Sequence, residues 1–198
     1  MIVDERIVTF INSLDTRNSE LLETIEAEAR AADVPIIRRE MQSFLKVLLM
    51  MKKPKHILEV GTAVGFSALL MSTAVEEDCR ITTIENYEKR IPIARGNFRR
   101  AGKDEQITLI EGDAAEVMKT LDGPYDFIFM DAAKGQYIHY LPDAMRLLSE
   151  GGVLVSDNVM QDGDVIQSRF AVERRNRTIH ARMRDYLYEL KHNAKLTT

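Results

Sequence analysis

The chain has 198 residues and a formal net charge of −4 at pH 7, with 45% hydrophobic and 29% charged residues. That balance fits one soluble globular domain with a substantial core and leaves too little chain for two large ones. No apolar run approaches the roughly 20 residues needed to span a bilayer, the opening MIVDERIVTFINSL lacks the features of a signal peptide, and a single cysteine, Cys79, rules out an internal disulfide framework; a cytoplasmic location without membrane contact is expected.

The first fifty residues read as helices. Ile7, Phe10, Ile11 and Leu14 recur at helical spacing, as do Leu21, Leu22, Ile25 and Ala29, with Asn18 or Ser19 placed to cap the second helix. Pro35 breaks the pattern, and a third helix is expected from about Arg38 to Met51. From His56 the character changes. Strands are expected at 56–61, 80–85, 107–113, 125–132 and 152–158, with helical segments near 65–76, 87–101, 114–121 and 136–148. Strands that are apolar on both faces suit a parallel sheet covered by helices. The alternation predicts an α/β, Rossmann-like, doubly wound and mostly parallel sheet. Gly151-Gly152 reads as the turn into the fifth strand, and Leu196 to Thr198 as the start of another. The chain divides into an N-terminal helical region (1–52), a core (53–160) and a basic segment (161–198), all within one domain (1–198). Residues 166–198 hold eight Lys or Arg against three Asp or Glu, a balance of +5 that leaves −9 for the remainder; such a basic end points to an anionic partner.

In an open α/β sheet, ligands bind beyond the carboxyl ends of the strands. The first strand runs into EVGTAVGFS, Glu59 to Ser67, where Gly61 and Gly65 permit either a routine turn or a close approach to a ligand. The spacing is not that of the dinucleotide fingerprint, which argues against a nicotinamide oxidoreductase. Glu85 ends the second strand, twenty-four positions after Gly61, where an acidic residue can accept from ribose hydroxyls. Asp113 follows the third strand and can cap the next helix, meet an adenine amino group, or do both. Together these features fit adenosine lying across three strand ends.

EVGTAVGFSA, TTIE, EGDA, FMDAAKGQY and SDN follow one another over residues 35–160 in the order found in cation-dependent S-adenosylmethionine O-methyltransferases of the catechol and caffeoyl-CoA type, which the chain resembles. The resemblance implies that Glu59, Gly61, Ala63 and Ser67 serve the amino-acid end of S-adenosylmethionine and that Met41 closes over it. It also implies Glu85 at the ribose, Asp113 and Ala114 at the adenine, Asp131 at the boundary between cofactor and metal, and a homodimer.

Asp131 ends the fourth strand, and Asp157 with Asn158 ends the fifth. Two carboxylates and an amide oxygen are hard ligands that suit Mg²⁺, Ca²⁺ or Mn²⁺, with Mg²⁺ first; the alternative is that Asp157-Asn158 makes a turn. The resemblance points to the same three residues as the metal set. A metal chelating a hydroxyl and its neighbouring oxygen would lower the hydroxyl pKa. Lys134, with Asp131 a catalytic candidate, would assist deprotonation or hold the resulting anion, unless it is merely a solvated loop residue.

The segment SRFAVERRNRTIHARMRDYLYELKHN carries one apolar stripe, Ile179, Met183, Tyr186, Leu187 and Leu190, with Arg177, Arg184 and Tyr188 on the other side and Arg174 and Arg175 at its start. The arginines either form a solvated face or contact RNA phosphates, and Arg38 and Arg39 could add to them. This segment is similar to that of bacterial enzymes that methylate 5-hydroxyuridine in the tRNA anticodon loop. The competing expectations are a small phenolic substrate and a non-catalytic S-adenosylmethionine- or nucleotide-binding module.

Overall fold

The computed structural model describes residues 3–198. Three helices lead the chain: α1 (Glu5–Ser13), α2 (Glu20–Ala31) and α3 (Arg39–Lys52). Asp4 and Ser19 cap the first two, accepting from Arg6 N at 2.9 Å and Leu22 N at 3.4 Å, which satisfies donors that a first turn leaves unpaired. Asn18, the other candidate cap, instead donates from Nδ2 to Gln42 Oε1 at 2.8 Å and ties the approach to α2 onto α3.

Five parallel strands follow: β1 (His56–Val60), β2 (Arg80–Glu85), β3 (Ile107–Glu111), β4 (Tyr125–Met130) and β5 (Leu148–Ser156), side by side in the order β3-β2-β1-β4-β5. Helices α4 (Phe66–Ser72), α5 (Ile91–Arg100), α6 (Ala114–Thr120) and α7 (Tyr137–Leu147) make the crossovers, and α8 (Arg177–His192) closes the chain. The expected doubly wound sheet is present. Successive strand residues face opposite ways, so one core forms on each side. Ile57, Phe127 and Phe129 join α2, α3 and α4 through Ile25, Leu45 and Leu70. Leu58, Ile128 and Met130 join α7 and α8 through Tyr137, Met183 and Tyr186. The chain builds outward from β1 to β3 and then returns to lay β4 on the other flank of β1. The crevice of such a sheet opens at this reversal.

Several boundaries differ from the sequence expectation. β1, β3 and β4 stop one or two residues sooner, because Gly61, Gly112 and Asp131 already belong to the connecting turns. β5 starts four residues early and runs through Gly151-Gly152, which is therefore no turn. Gly151 takes φ +67° inside the strand and the pairing with β4 shifts register between Tyr125 and Phe127, the mark of a bulge. Leu196–Thr198 form no strand. They fold back on α8, with Lys191 Nζ donating to the Thr198 carbonyl at 2.5 Å and Leu196 N to Asn193 O at 3.0 Å. Cys79 is wholly buried before β2, and burial pushes its thiol up to about 11. No helix among the described residues is long and apolar enough to cross a membrane.

Candidate active site

A cavity of about 690 Å³ opens at the carboxyl ends of the strands. The turn after β1 forms its floor. Gly61 lies at φ +105°, and a Cβ there would run into the backbone carbonyl of Asp131; Gly65 lies at φ +84°, with the Phe98 ring 2.5 Å from where its Cβ would stand. Both conformations favour glycine. Between them Ala63 also takes a positive φ, +47°. What holds it there is Glu85, whose Oε2 accepts from Ala63 N at 2.7 Å while Oε1 accepts from Asn86 N at 3.0 Å and Tyr87 N at 2.9 Å. A carboxylate has about four acceptor sites, so Glu85, half-buried on the cavity wall, keeps capacity for a ligand's hydroxyls.

Gly61, Ala63, Ser67, Glu85 and Ala114 all line this cavity, and Met41 of α3 faces them. Asp113 caps α6, accepting from Ala115 N at 2.9 Å; its neighbours Gly112 and Ala114 reach the cavity wall rather than Asp113 itself. Glu59 stands apart from the group. It is fully buried behind the wall, where Oε1 accepts from Ser67 Oγ and Oε2 from Thr83 Oγ1 at 2.5 Å, and Thr83 Oγ1 meets Thr62 Oγ1 at 2.5 Å. Burial raises its pKa to about 8; the two hydroxyls lower it, and the Asp131 and Glu85 carboxylates raise it further. Glu59 therefore supports the glycine turn and Ser67 from beneath.

The other wall comes from β4 and β5. Met130 pairs with Ser156 in the last rung, and Asp157 N donates to Met130 O at 2.9 Å. Asp131 and Asp157 thus leave adjacent strands, about 4.8 Å apart, at the same level. Asp131 Oδ1 accepts from Lys134 Nζ at 2.7 Å. Burial, then the Asp131 carboxylate, pushes the Asp157 carboxyl up, against a smaller pull from Lys134. Asn158 takes φ +59° and its carbonyl accepts from Gln161 N at 3.1 Å, so the pair also makes a turn. All four side chains belong to the cavity lining. Among the described residues no group of three His, Cys, Asp or Glu is arranged for a metal. A cation here would rest on two carboxylates and the Asn158 amide. The donor set is chemically suited to a hard divalent ion: all three side chains offer oxygen, Lys134 engages only Oδ1 of Asp131, and no side chain among the described residues donates to Asp157.

The arginines divide. Arg38 lines the cavity and pairs with Asp162 at 3.0 Å, whereas Arg39 turns to Glu23 at 2.8 Å and Glu26 at 3.7 Å on α2. Arg174, Arg175, Arg177 and Arg184 lie outside the cavity lining. Arg177 Nε donates to Val172 O and Arg184 Nη1 to Val165 O, each at 3.2 Å, so both brace the loop before α8. Arg175 pairs with Glu173 at 2.7 Å, and Arg174 is exposed. Sequence reasoning missed Arg182, whose Nη1 holds the Gly135 carbonyl beside Lys134 at 3.1 Å, and Arg90, on the cavity wall near Glu85. It also gave no role to Tyr137, whose one signal was its place three residues after Lys134.

The sequence profile of the O-methyltransferase family matches residues 13–195. A catechol O-methyltransferase of Niastella koreensis is 37% identical over 127 residues, which span 62% of this chain and 58% of that protein. One from Mycobacterium tuberculosis is 32% identical over 160 residues, 79% of this chain and 73% of that protein. The chain thus spans between about half and three quarters of the length of such relatives. An O-methyltransferase from Bacillus cereus, solved in complex with SAH, superimposes with a TM-score of 0.84 at 25% identity, covering 96% of this chain and 86% of that one.

Proposed function

This chain belongs to the O-methyltransferase family, and from that membership we propose that it moves the methyl group of S-adenosylmethionine onto a hydroxyl that has an oxygen on the adjacent carbon. One observation carries the reading: a single cavity joins the turn after β1, Glu85 and Ala114 on one side to Asp131, Lys134, Asp157 and Asn158 on the other. Glu85 would take the ribose hydroxyls, with the adenine against Ala114 and the Asp113 turn. The amino-acid end would lie over Gly61, Ala63 and Ser67, beneath Met41. Asp131, Asp157 and Asn158 would hold a divalent cation, Mg²⁺ first, which when bound supplies Lewis acidity toward the acceptor hydroxyl. The acceptor hydroxyl would lose its proton to solvent, Lys134 Nζ, paired with Asp131, would offer a charged donor to the resulting oxyanion, and the new O–CH3 bond would form as the bond to sulfur breaks and S-adenosylhomocysteine leaves. The two walls hold donor and acceptor together, and positioning of this kind lowers the barrier for a bimolecular transfer.

The acceptor has two readings. A catechol-like phenol agrees with the names of the relatives. The base 5-hydroxyuridine of a tRNA anticodon loop presents the same vicinal pair, its 5-hydroxyl and 4-carbonyl oxygens. The exposed Arg174 and Arg175 favour it, near a Phe170 that is 84% exposed and able to stack on a base. Assays with anticodon stem-loop RNA bearing 5-hydroxyuridine and with catechol, each with Mg²⁺ or with EDTA, separate them. RNA turnover supports the tRNA reading, turnover of the phenol alone rejects it, and full activity in EDTA rejects the metal. The partner proposed for the protein itself is a second copy. Ile7, Phe10 and Ile11 of α1, Leu14 at its end, and Phe44, Val47, Met50 and Met51 of α3 are all exposed, and the two helices touch; an apolar face of this extent favours an interface.

A further inference from the structure

Tyr137, at the first residue of α7, is fully buried, yet its hydroxyl reaches the working edge of the sheet. It donates to Met130 O at 2.9 Å, with Asp157 O also in reach at 3.3 Å, and it accepts from Lys134 Nζ at 3.0 Å. Met130 immediately precedes Asp131. One phenol therefore touches the backbone on both flanks of the acidic pair as well as the lysine between them.

The ring is held independently of the hydroxyl. Tyr186 of α8 meets it edge-on, with centroids 5.5 Å apart and planes at 72°, and Tyr186 in turn bonds Ser156 Oγ through its own hydroxyl at 2.5 Å. Lys134 has a long flexible side chain in a short turn (Lys134–Gln136). Its recorded partners among the described residues are Asp131 Oδ1 and the Tyr137 hydroxyl, and its ammonium also sits 5.3 Å from the Tyr137 ring centroid. An ammonium has three N–H donors. With two of them committed at fixed angles, the third has a restricted direction, and Lys134 lines the cavity.

We propose that Tyr137 is a positioning residue that aims Lys134 Nζ at the acceptor oxygen. The proposal rests on the functional reading above for what the lysine is aimed at; the aiming itself is a property of these three residues.

Tyr137→Phe tests it, because the ring and its contact with Tyr186 remain while the hydroxyl goes. The expected result is a fall in kcat of about 10- to 100-fold, the scale on which a slightly misplaced group slows a reaction, with the calorimetric Kd for S-adenosylmethionine changed less than about twofold. In a Lys134→Ala background the same substitution should cost less than about twofold, since residues acting as a unit are not additive. A second readout needs no turnover: the ¹⁵N signal of the Lys134 ammonium, restrained in the parent protein, should show faster rotation in Tyr137→Phe. Equal losses in both backgrounds, an undiminished kcat, or an unchanged ammonium signal overturns the proposal. A changed signal in a protein that transfers no methyl group upholds the positioning and overturns the functional reading.

Discussion

Replacing Glu59 with glutamine should alter how stability depends on pH. Glu59 has no exposed surface, and burial above all pushes its carboxyl from the ordinary 4.5 up to about 8 in the folded protein. Between those limits the folded protein keeps a proton that the unfolded chain has lost. Folding stability therefore falls as pH rises from about 4.5 to about 8 and is level beyond, where both states are ionised. At 1.36 kcal/mol per pH unit, the 3.5-unit window corresponds to a ceiling of about 5 kcal/mol. Glutamine has the same shape and no charge. It can accept from one hydroxyl and donate to the other, because the Thr62–Thr83 contact permits either oxygen as donor. Urea unfolding followed by circular dichroism at pH 5, 6, 7 and 8.5 gives the difference between variant and parent, in which other titrations cancel. The ionisation part of the difference should be smallest at pH 5, below about 1 kcal/mol, and grow to several kcal/mol in favour of Glu59→Gln at pH 8.5. A difference that does not change with pH would refute the claim that this buried carboxyl titrates late.

Gly61→Ala places a methyl group against the Asp131 carbonyl at φ +105°; thermal denaturation should show a loss of about 2–4 kcal/mol, and calorimetry a weaker affinity for S-adenosylmethionine. Asp157→Asn removes one of two carboxylates proposed for the cation; activity titrated with Mg²⁺ should need on the order of 10- to 100-fold more metal for half-maximal rate. Phe10→Glu together with Leu14→Glu places charge on the exposed α1 face and should halve the mass seen by sedimentation equilibrium, with the melting curve of the monomer otherwise cooperative.

The sheet and the residues that line its cavity were readable where short-range rules operate. Gly61 and Gly65 announced a backbone that only glycine adopts easily, and the polar residues that terminate each apolar strand marked the side on which ligands gather. The start of β5 was not readable, because a glycine pair serves a turn and a bulge equally well and only the pairing with β4 decides between them. Helical spacing showed that Arg177 and Arg184 leave the apolar stripe of α8. It could not show that both are bonded to carbonyls of the preceding loop, which is a matter of where that loop lies. Glu59 was grouped with its motif neighbours because sequence adjacency carries no depth. Alternation along β1 turns its carboxylate away from the cavity and toward two hydroxyls. Tyr137 was written in plain view within FMDAAKGQY, yet its role depends on the carbonyls of two strands that the sequence separates by some twenty-six residues.

The reversal of strand order between β1 and β4 also divides the labour of the chain. On the proposed function, cavity residues before about 115 would face the methyl donor and those after about 130 its recipient, and the two regions abut where Gly61, lacking a side chain, lies against the Asp131 backbone. Recipient recognition is therefore separable. Segments such as 159–176, which lie beyond the last strand and are anchored by Arg177 and Arg184, can be exchanged or lengthened while the donor half keeps its shape. One scaffold can in this way diversify toward many hydroxylated molecules, provided that the seam at Gly61 is left without a side chain.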